Sequence, residues 1–285
     1  MKARLLTLLL LLSITQTLFA QTSEDLVNRA IDKINANDYE GAIIDCSTAL
    51  QINPKNALAY DTRAHAKNNL HRYADAIADL DQEIAIEPYS ALAWYKRGTT
   101  KYNIGLYADA ITDLDEALLL NPKNKQCWYN RGLAKYDLAR YDDAIADYNR
   151  AIELDQDFAD AYNNRGVVKR QLKQYMDAIT DFDRAIYLYP QGPDAFNNRA
   201  NAKYNLGRYA EALADYDQAI ALNPRYFTAY NNRGNVYFKL GKTKENYRKA
   251  IADYDMSIQL GGSSYTPFFQ YRDEAVAAIA TAEGP

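Results

Sequence analysis

Histidine and cysteine are nearly missing from this 285-residue chain, with two of each, and that scarcity removes most routes to catalysis. A nucleophile, a general base or a metal must be gathered in one pocket. Only His65 and His71 are on offer, and no Cys–His or acidic ligand cluster stands outside a repeating pattern. No catalytic residue, metal or cofactor is expected, and the chain reads as a non-enzyme. Basic charge is short too: 33 Lys and Arg face 37 Asp and Glu, a formal net charge of −4. The basic residues recur at fixed intervals instead of clustering, which argues against a nucleic-acid surface and against a basic tail for anionic lipid. Cys46 and Cys127 lie in distant segments, so two free or buried thiols are expected even in an oxidising compartment.

Long apolar runs are equally rare. Leu5–Leu12 is preceded by Lys2 and Arg4 and followed by Leu18-Phe19-Ala20 before Gln21, which reads as a secretory signal peptide over residues 1–20, cleaved after Ala20. The run is too short to span a bilayer comfortably, so no stable membrane insertion is expected after cleavage; a retained N-terminal anchor helix is the alternative. No cysteine follows the cleavage point, which argues against a lipid anchor. The expected location is secreted or periplasmic, in a bacterial cell envelope.

What the chain has in abundance is repetition. Pro54, Pro88, Pro122, Pro190 and Pro224 fall at multiples of 34 residues, with Gln156 in the one gap. They set seven units at 23–56, 57–90, 91–124, 125–158, 159–192, 193–226 and 227–260. A period of this length is the signature of a helical solenoid. The third unit, ALAWYKRGTTKYNIGLYADAITDLDEALLLNPKN, has Trp94 at place 4, Gly98 at 8, Gly105 at 15, Tyr107 at 17, Ala110 at 20, Ala117 at 27 and Pro122 at 32. Places 4 and 8 sit one turn apart on a first helix, and places 20, 21, 24, 27 and 28 form an apolar stripe on a second. Each unit is therefore a helical hairpin, and stacking supplies the core that no hairpin can bury alone. Gly105, Gly207 and Gly241 at place 15 suit a left-handed helix stop. In the seventh unit Lys242 to Glu245 adds four residues before Asn246 and Tyr247 resume the second helix. Residues 265–282, carrying Phe268, Phe269, Ala275, Val276 and Ile279, read as a capping helix over the open end.

Small and large residues recurring at the same places seven times resemble the tetratricopeptide repeat, over nearly the whole chain after the leader. The resemblance implies an all-α, right-handed α-solenoid, a superhelix of seven hairpins plus the C-terminal helix, whose first helices line a concave groove. It also implies a scaffold for a protein or peptide partner. Oligomeric state stays open.

Arg recurs at place 7 (Arg29, Arg63, Arg97, Arg131, Arg165, Arg199, Arg233) and Asp at place 23 (Asp45, Asp79, Asp113, Asp147, Asp181, Asp215, and Asp253 displaced by the insertion). The family usually has Leu at place 7, so an ion pair is expected to replace an apolar contact. Arg97, Asp113, Arg131, Asp147, Arg165, Asp181, Arg199 and Asp215 are the structural ion-pair candidates, joined between the two helices of one hairpin or of neighbours. Lys at place 11, from Lys33 to Lys203, stands one turn on and joins the network. Exposed, such a pair adds about 0–1 kcal/mol; buried, losing one partner costs roughly 3–5 kcal/mol.

Asn at place 6 is the candidate binding set: Asn28, Asn130, Asn164, Asn198 and Asn232. A side-chain amide can match both the N–H and the C=O of a peptide unit, and the arrangement is similar to the asparagine ladder of O-linked N-acetylglucosamine transferases. Thr62 and Lys96 interrupt it. Asn201 and Asn235 at place 9, and Tyr102, Tyr136, Tyr204 and Phe238 at place 12, extend the groove. Four rungs with two bonds each contribute roughly 4–12 kcal/mol against association costs of about 4–15 kcal/mol, so aromatic anchors must add to them. The chain is thus expected to hold an extended peptide or partner subunit; glycan or cell-wall binding by the Tyr- and Asn-rich surface is the alternative.

Overall fold

A computed structural model of the protein describes residues 22–241, 243–261 and 266–281; the leader read over residues 1–20 lies outside them. Among the described residues every regular element is a helix. They are α1 (Ser23–Asn35), α2 (Tyr39–Ile52), α3 (Ala57–Asn69), α4 (Tyr73–Ile86), α5 (Ala91–Asn103), α6 (Tyr107–Leu120), α7 (Lys125–Asp137), α8 (Tyr141–Leu154), α9 (Ala159–Gln171), α10 (Tyr175–Leu188), α11 (Pro193–Asn205), α12 (Tyr209–Leu222), α13 (Phe227–Leu240), α14 (Lys244–Gln259) and α15 (Thr266–Thr281). They fall into two compact units, Met1–Ala134 and Lys135–Pro285, with α7 crossing the boundary. The first unit stacks the hairpins α1–α2, α3–α4 and α5–α6. The second stacks α9–α10, α11–α12 and α13–α14 between α8 and α15. First helices of successive repeats also touch, α1 with α3, α9 with α11 and α11 with α13, so they share one face of each unit.

The turn inside each hairpin follows from one backbone position. Place 15 is left-handed at Asn37, His71, Gly105, Ala139, Lys173 and Gly207, with φ between 57° and 81°. The next residue's N–H then reaches back to the carbonyl of place 11, as in Asp38 to Lys33 and Arg72 to Lys67, both at 2.8 Å. That is the Schellman closure, which satisfies carbonyls left open at the helix end. Glycine was legible as the stop at Gly105 and Gly207; four other residues adopt the same geometry at the strain their Cβ brings. At the far end of each hairpin Asn53, Asn121, Asp155 and Asn223 fold back onto the N–H two residues on. Asn56, Ser90 and Asn124 cap the next first helix.

Burial follows the small and large places. Ala30, Ala42 and Cys46 pack together, as do Ala64, Ala76 and Leu80. Place 24 enlarges along the chain from Cys46 through Leu80, Leu114, Tyr148, Phe182 and Tyr216 to Tyr254, each buried. Where place 24 carries a ring, Gly166 and Gly234 give it room: a Cβ there would lie 2.7 Å from Phe182 and 2.9 Å from Tyr254. Cys46 and Cys127 are both free and buried, and burial pushes the Cys46 thiol up to about 12.

The seventh repeat differs from the expected register. α14 starts at Lys244, two residues before Asn246, because the Thr243 hydroxyl caps the Asn246 N–H and draws Lys244 and Glu245 into a first turn. In α15, Arg272 lies six residues after the helix start, which is the register of place 7, and it pairs with Asp255 on α14.

Candidate functional site

The charged network lies inside the hairpins. Asp45, Asp79, Asp113, Asp181, Asp215 and Asp253 each receive two parallel bonds from the place-7 Arg of their own repeat, at 2.5–2.9 Å. Lys33, Lys67, Lys101, Lys169 and Lys203 add a third contact to their repeat's Asp, and Lys135 makes the same contact with Asp147. These carboxylates are buried while the guanidiniums are partly exposed, so removing the Arg leaves a desolvated anion with one cation fewer to offset its burial. The hydrogen bond from Arg29 holds the Asp45 carboxyl below the usual range, whereas burial pushes Asp253 up. From the second repeat on, the Arg also reaches the preceding repeat with its remaining nitrogen: Arg63 to Ser47, Arg97 to Asp81, Arg131 to Asp115, Arg165 to Asn149, Arg199 to Asp183, Arg233 to Asp217. Aromatics at place 4 cover the guanidinium planes, with Arg97 4.7 Å from the Trp94 centroid and Arg131 4.6 Å from that of Trp128. This fork, ring and double-carboxylate arrangement suits arginine and not lysine. It also joins each hairpin to the one before it.

The asparagines at place 6 lie on first helices, and three of them share one partner relation. Asn198 donates from Nδ2 to Asn163 Oδ1 at 3.1 Å, and Asn232 to Asn197 Oδ1 at 3.2 Å. Asn130 donates to Tyr95 Oη and Thr99 Oγ1 at 3.2 and 3.1 Å. Each acceptor Asn163, Asn197 and Tyr95 is place 5 of the preceding repeat. Lys96, which interrupts the asparagine pattern, occupies the same relation by pairing with Asp61. Place 6 therefore clasps neighbouring first helices, and the amide donor half is engaged. The carbonyl of Asn198 remains as an acceptor. Asn28, in the first repeat, is exposed on α1 and borders an open cavity with Glu24, Asn56 and Leu58. Asn164 is half-buried on α9.

The remaining candidates are turned into their own hairpins. Asn201 Oδ1 accepts the Tyr216 hydroxyl at 2.6 Å, and Asn235 Oδ1 accepts that of Tyr254 at 2.9 Å. A buried phenol needs a partner, and Asn at place 9 supplies it in the two repeats where Tyr at place 24 has it. Tyr102, Tyr136, Tyr204 and Phe238 pack tilted or edge-on against Tyr107, Tyr141, Tyr209 and Tyr247, with centroids 5.5–5.8 Å apart. Place 5, the acceptor row, holds Val27, Asp61, Tyr95, Tyr129, Asn163, Asn197 and Asn231, and this mixture of residue types gives no sign of a shared role.

One junction is chemically distinct. Glu83, on α4, stands at place 27 where Ala49, Ala117, Ala151, Ala185 and Ala219 stand elsewhere. It is buried, and its Oε2 has no partner. Burial first, then the nearby Asp61, pushes its carboxyl up to about 7, with Lys96 opposing. Among the described residues no group of three or more His, Cys, Asp or Glu forms a metal site, and no helix is long and apolar enough to cross a membrane.

Stacked helical hairpins clasped through their first helices define an α-solenoid of the interaction-scaffold class. Family models for the TPR repeat match residues 134–169 and 200–241, and tetratricopeptide repeat models match 159–191, 62–125 and 95–136. The chain belongs to the tetratricopeptide repeat family. It is similar to a tetratricopeptide repeat protein from Parabacteroides merdae at 17% identity and TM-score 0.71, covering 90% of this chain and all of that one. PilW, a type IV pilus biogenesis factor, aligns at 22% identity and TM-score 0.65 over 72% of this chain and 94% of its own. YrrB, described as having an unusual peptide-binding site, aligns at 22% identity and TM-score 0.54 over 65% of this chain and 95% of its own. None of the curated proteins matches the chain.

Proposed function

We propose that the chain is an exported interaction scaffold that holds an extended polypeptide on the face shared by its first helices. The observation that carries this reading is the clasp at place 6: it fixes the amides of Asn130 and Asn198 by their donors and leaves the Asn198 carbonyl for a partner's backbone N–H. An amide used this way offers one hydrogen bond instead of two. The net contribution per rung is then about 0.5–1.5 kcal/mol, so side-chain contacts supply most of the affinity and selectivity. The family and the printed description of YrrB as peptide-binding support the reading. Export rests on Lys2, Arg4, Leu5–Leu12 and the Ala20 boundary.

The test is selection of peptides from a random display library on the mature chain, followed by N-methylation of alternate backbone positions in the selected sequences. An affinity loss of about tenfold or more at particular positions supports a backbone grip. No selectable peptide, together with salt-resistant retention on peptidoglycan or polysaccharide, sinks it in favour of the glycan reading. N-terminal sequencing of the exported protein checks cleavage after Ala20.

A further inference from the structure

In the third, fourth, sixth and seventh repeats the aromatic at place 12 lies against a tyrosine at the start of the second helix, with centroids 5.5–5.8 Å apart. The second repeat lacks that ring: place 12 is Asn68. The tyrosine is present as Tyr73, but its ring lies edge-on to His71 at 5.7 Å, and its hydroxyl shares a 2.7 Å hydrogen bond with His71 Nδ1. Where the ring is missing there is a cavity of about 430 Å³, lined among others by Asn68, Tyr73, Leu80, Tyr95 and Thr99. Sites of roughly 300–1,000 Å³ are the size that takes a discrete ligand group. His65, Asn69 and Asn103, all exposed, stand at its mouth. The cavity lies wholly within the first unit.

Its walls are not only apolar. Asn68 donates from Nδ2 to Thr100 Oγ1 at 3.0 Å, and that hydroxyl in turn donates to the Lys96 carbonyl. Asn68 Oδ1 is buried with no hydrogen-bond partner. A carbonyl closed to solvent and left unpaired is costly, and the cost is recovered when the Asn68 side chain turns to meet a donor entering the cavity. We infer that this cavity is a socket for an aromatic side chain bearing a donor at its edge, a tyrosine or tryptophan of the bound segment. Such a side chain supplies the ring the second repeat lacks and the donor that Asn68 lacks. Aliphatic side chains satisfy neither requirement, and phenylalanine satisfies one. The inference deepens the peptide-scaffold reading and rests on it for the source of the side chain.

The experiment titrates the full mature chain with the N-acetyl amides of tyrosine, tryptophan and phenylalanine, following backbone amide resonances. The expected result is saturable shifts at Tyr73, Tyr95 and Thr99, with the phenylalanine amide about tenfold weaker. Asn68→Tyr restores the tyrosine found at this place in the third, fourth and sixth repeats, so it should fold and lose binding at least tenfold. If that variant unfolds, Asn68→Ala serves instead: it keeps the cavity, removes the acceptor, and should abolish the preference for tyrosine over phenylalanine. Equal affinity for the tyrosine and phenylalanine amides, wild-type binding by Asn68→Tyr, or no saturable shift overturns the socket. Selected peptides without a fixed Tyr or Trp overturn it while leaving the scaffold standing. Amide probes that bind here while no peptide can be selected do the reverse.

Discussion

Asn198 gives its amide hydrogen to Asn163, the residue one place earlier in the repeat before it, at 3.1 Å. The same step of 35 residues joins Asn232 to Asn197, Asn130 to Tyr95 and Lys96 to Asp61. Such a bond between half-buried groups contributes about 1 kcal/mol. Asn198→Ala should therefore lower unfolding free energy by about that amount in a urea titration. No change in midpoint would show that the clasp is idle.

Arg165 and Arg29 provide an internal contrast. The Arg165 side chain is 17% exposed and also meets Asn149 of the preceding repeat; that of Arg29 is 48% exposed, with no repeat before it. Arg165→Met leaves the buried Asp181 with Lys169 as its one remaining cation and should cost about 1.5–3 kcal/mol, while Arg29→Met should cost clearly less. Chemical denaturation of the two variants checks the order, and equal losses would contradict it.

Lys173 and Gly207 occupy the same left-handed position, φ 61° and 74°. The strain of a Cβ there is about 1–2 kcal/mol, partly offset by the chain entropy glycine loses on folding. Lys173→Gly is expected to stabilise by about 0.5–1 kcal/mol and Gly207→Ala to destabilise by a similar amount, read as opposite shifts in melting temperature.

Glu83 makes stability fall with pH. Its folded carboxyl is held up at about 7 by burial and Asp61, with Glu87 adding and Lys96 opposing, while the unfolded value is near 4.3. Between those values the folded state holds the extra proton, so stability is highest below the unfolded value, declines as pH rises to about 7 and is flat beyond. The full difference is about 4 kcal/mol. Glu83→Ala, the residue at this place in five other repeats, should flatten the profile and stabilise the chain at pH 8. A wild-type slope surviving in the variant would assign the effect elsewhere.

The hairpins were legible because place 8, place 20 and the proline at place 32 report backbone and packing demands that every repeat shares. The Arg and Asp rows could be seen as a pattern, but only geometry shows that Asp79, Asp113, Asp181 and Asp215 are each met by Arg and Lys of their own repeat while the third guanidinium nitrogen crosses to the one before. Asn201 and Asn235 looked like groove residues because helical spacing gives direction and not reach; Tyr216 and Tyr254 arrive from the facing helix and claim their carbonyls. The acceptor role of place 5 and the lost ring at Asn68 are not written in the sequence for a related reason. An acceptor is defined by what approaches it, and a cavity by what is not there.

Arg272 meets Asp255 as Arg233 meets Asp217, so α15 repeats the handshake of every first helix before it. Joints cut to one pattern are interchangeable. Excising residues 193–226 would bring Asn232 opposite Asn163 and Arg233 opposite Asp183, the same residue types each faces already. That copy can thus be lost whole without a mismatch at these two contacts, which makes the number of repeats in this stretch a free variable of descent and of design.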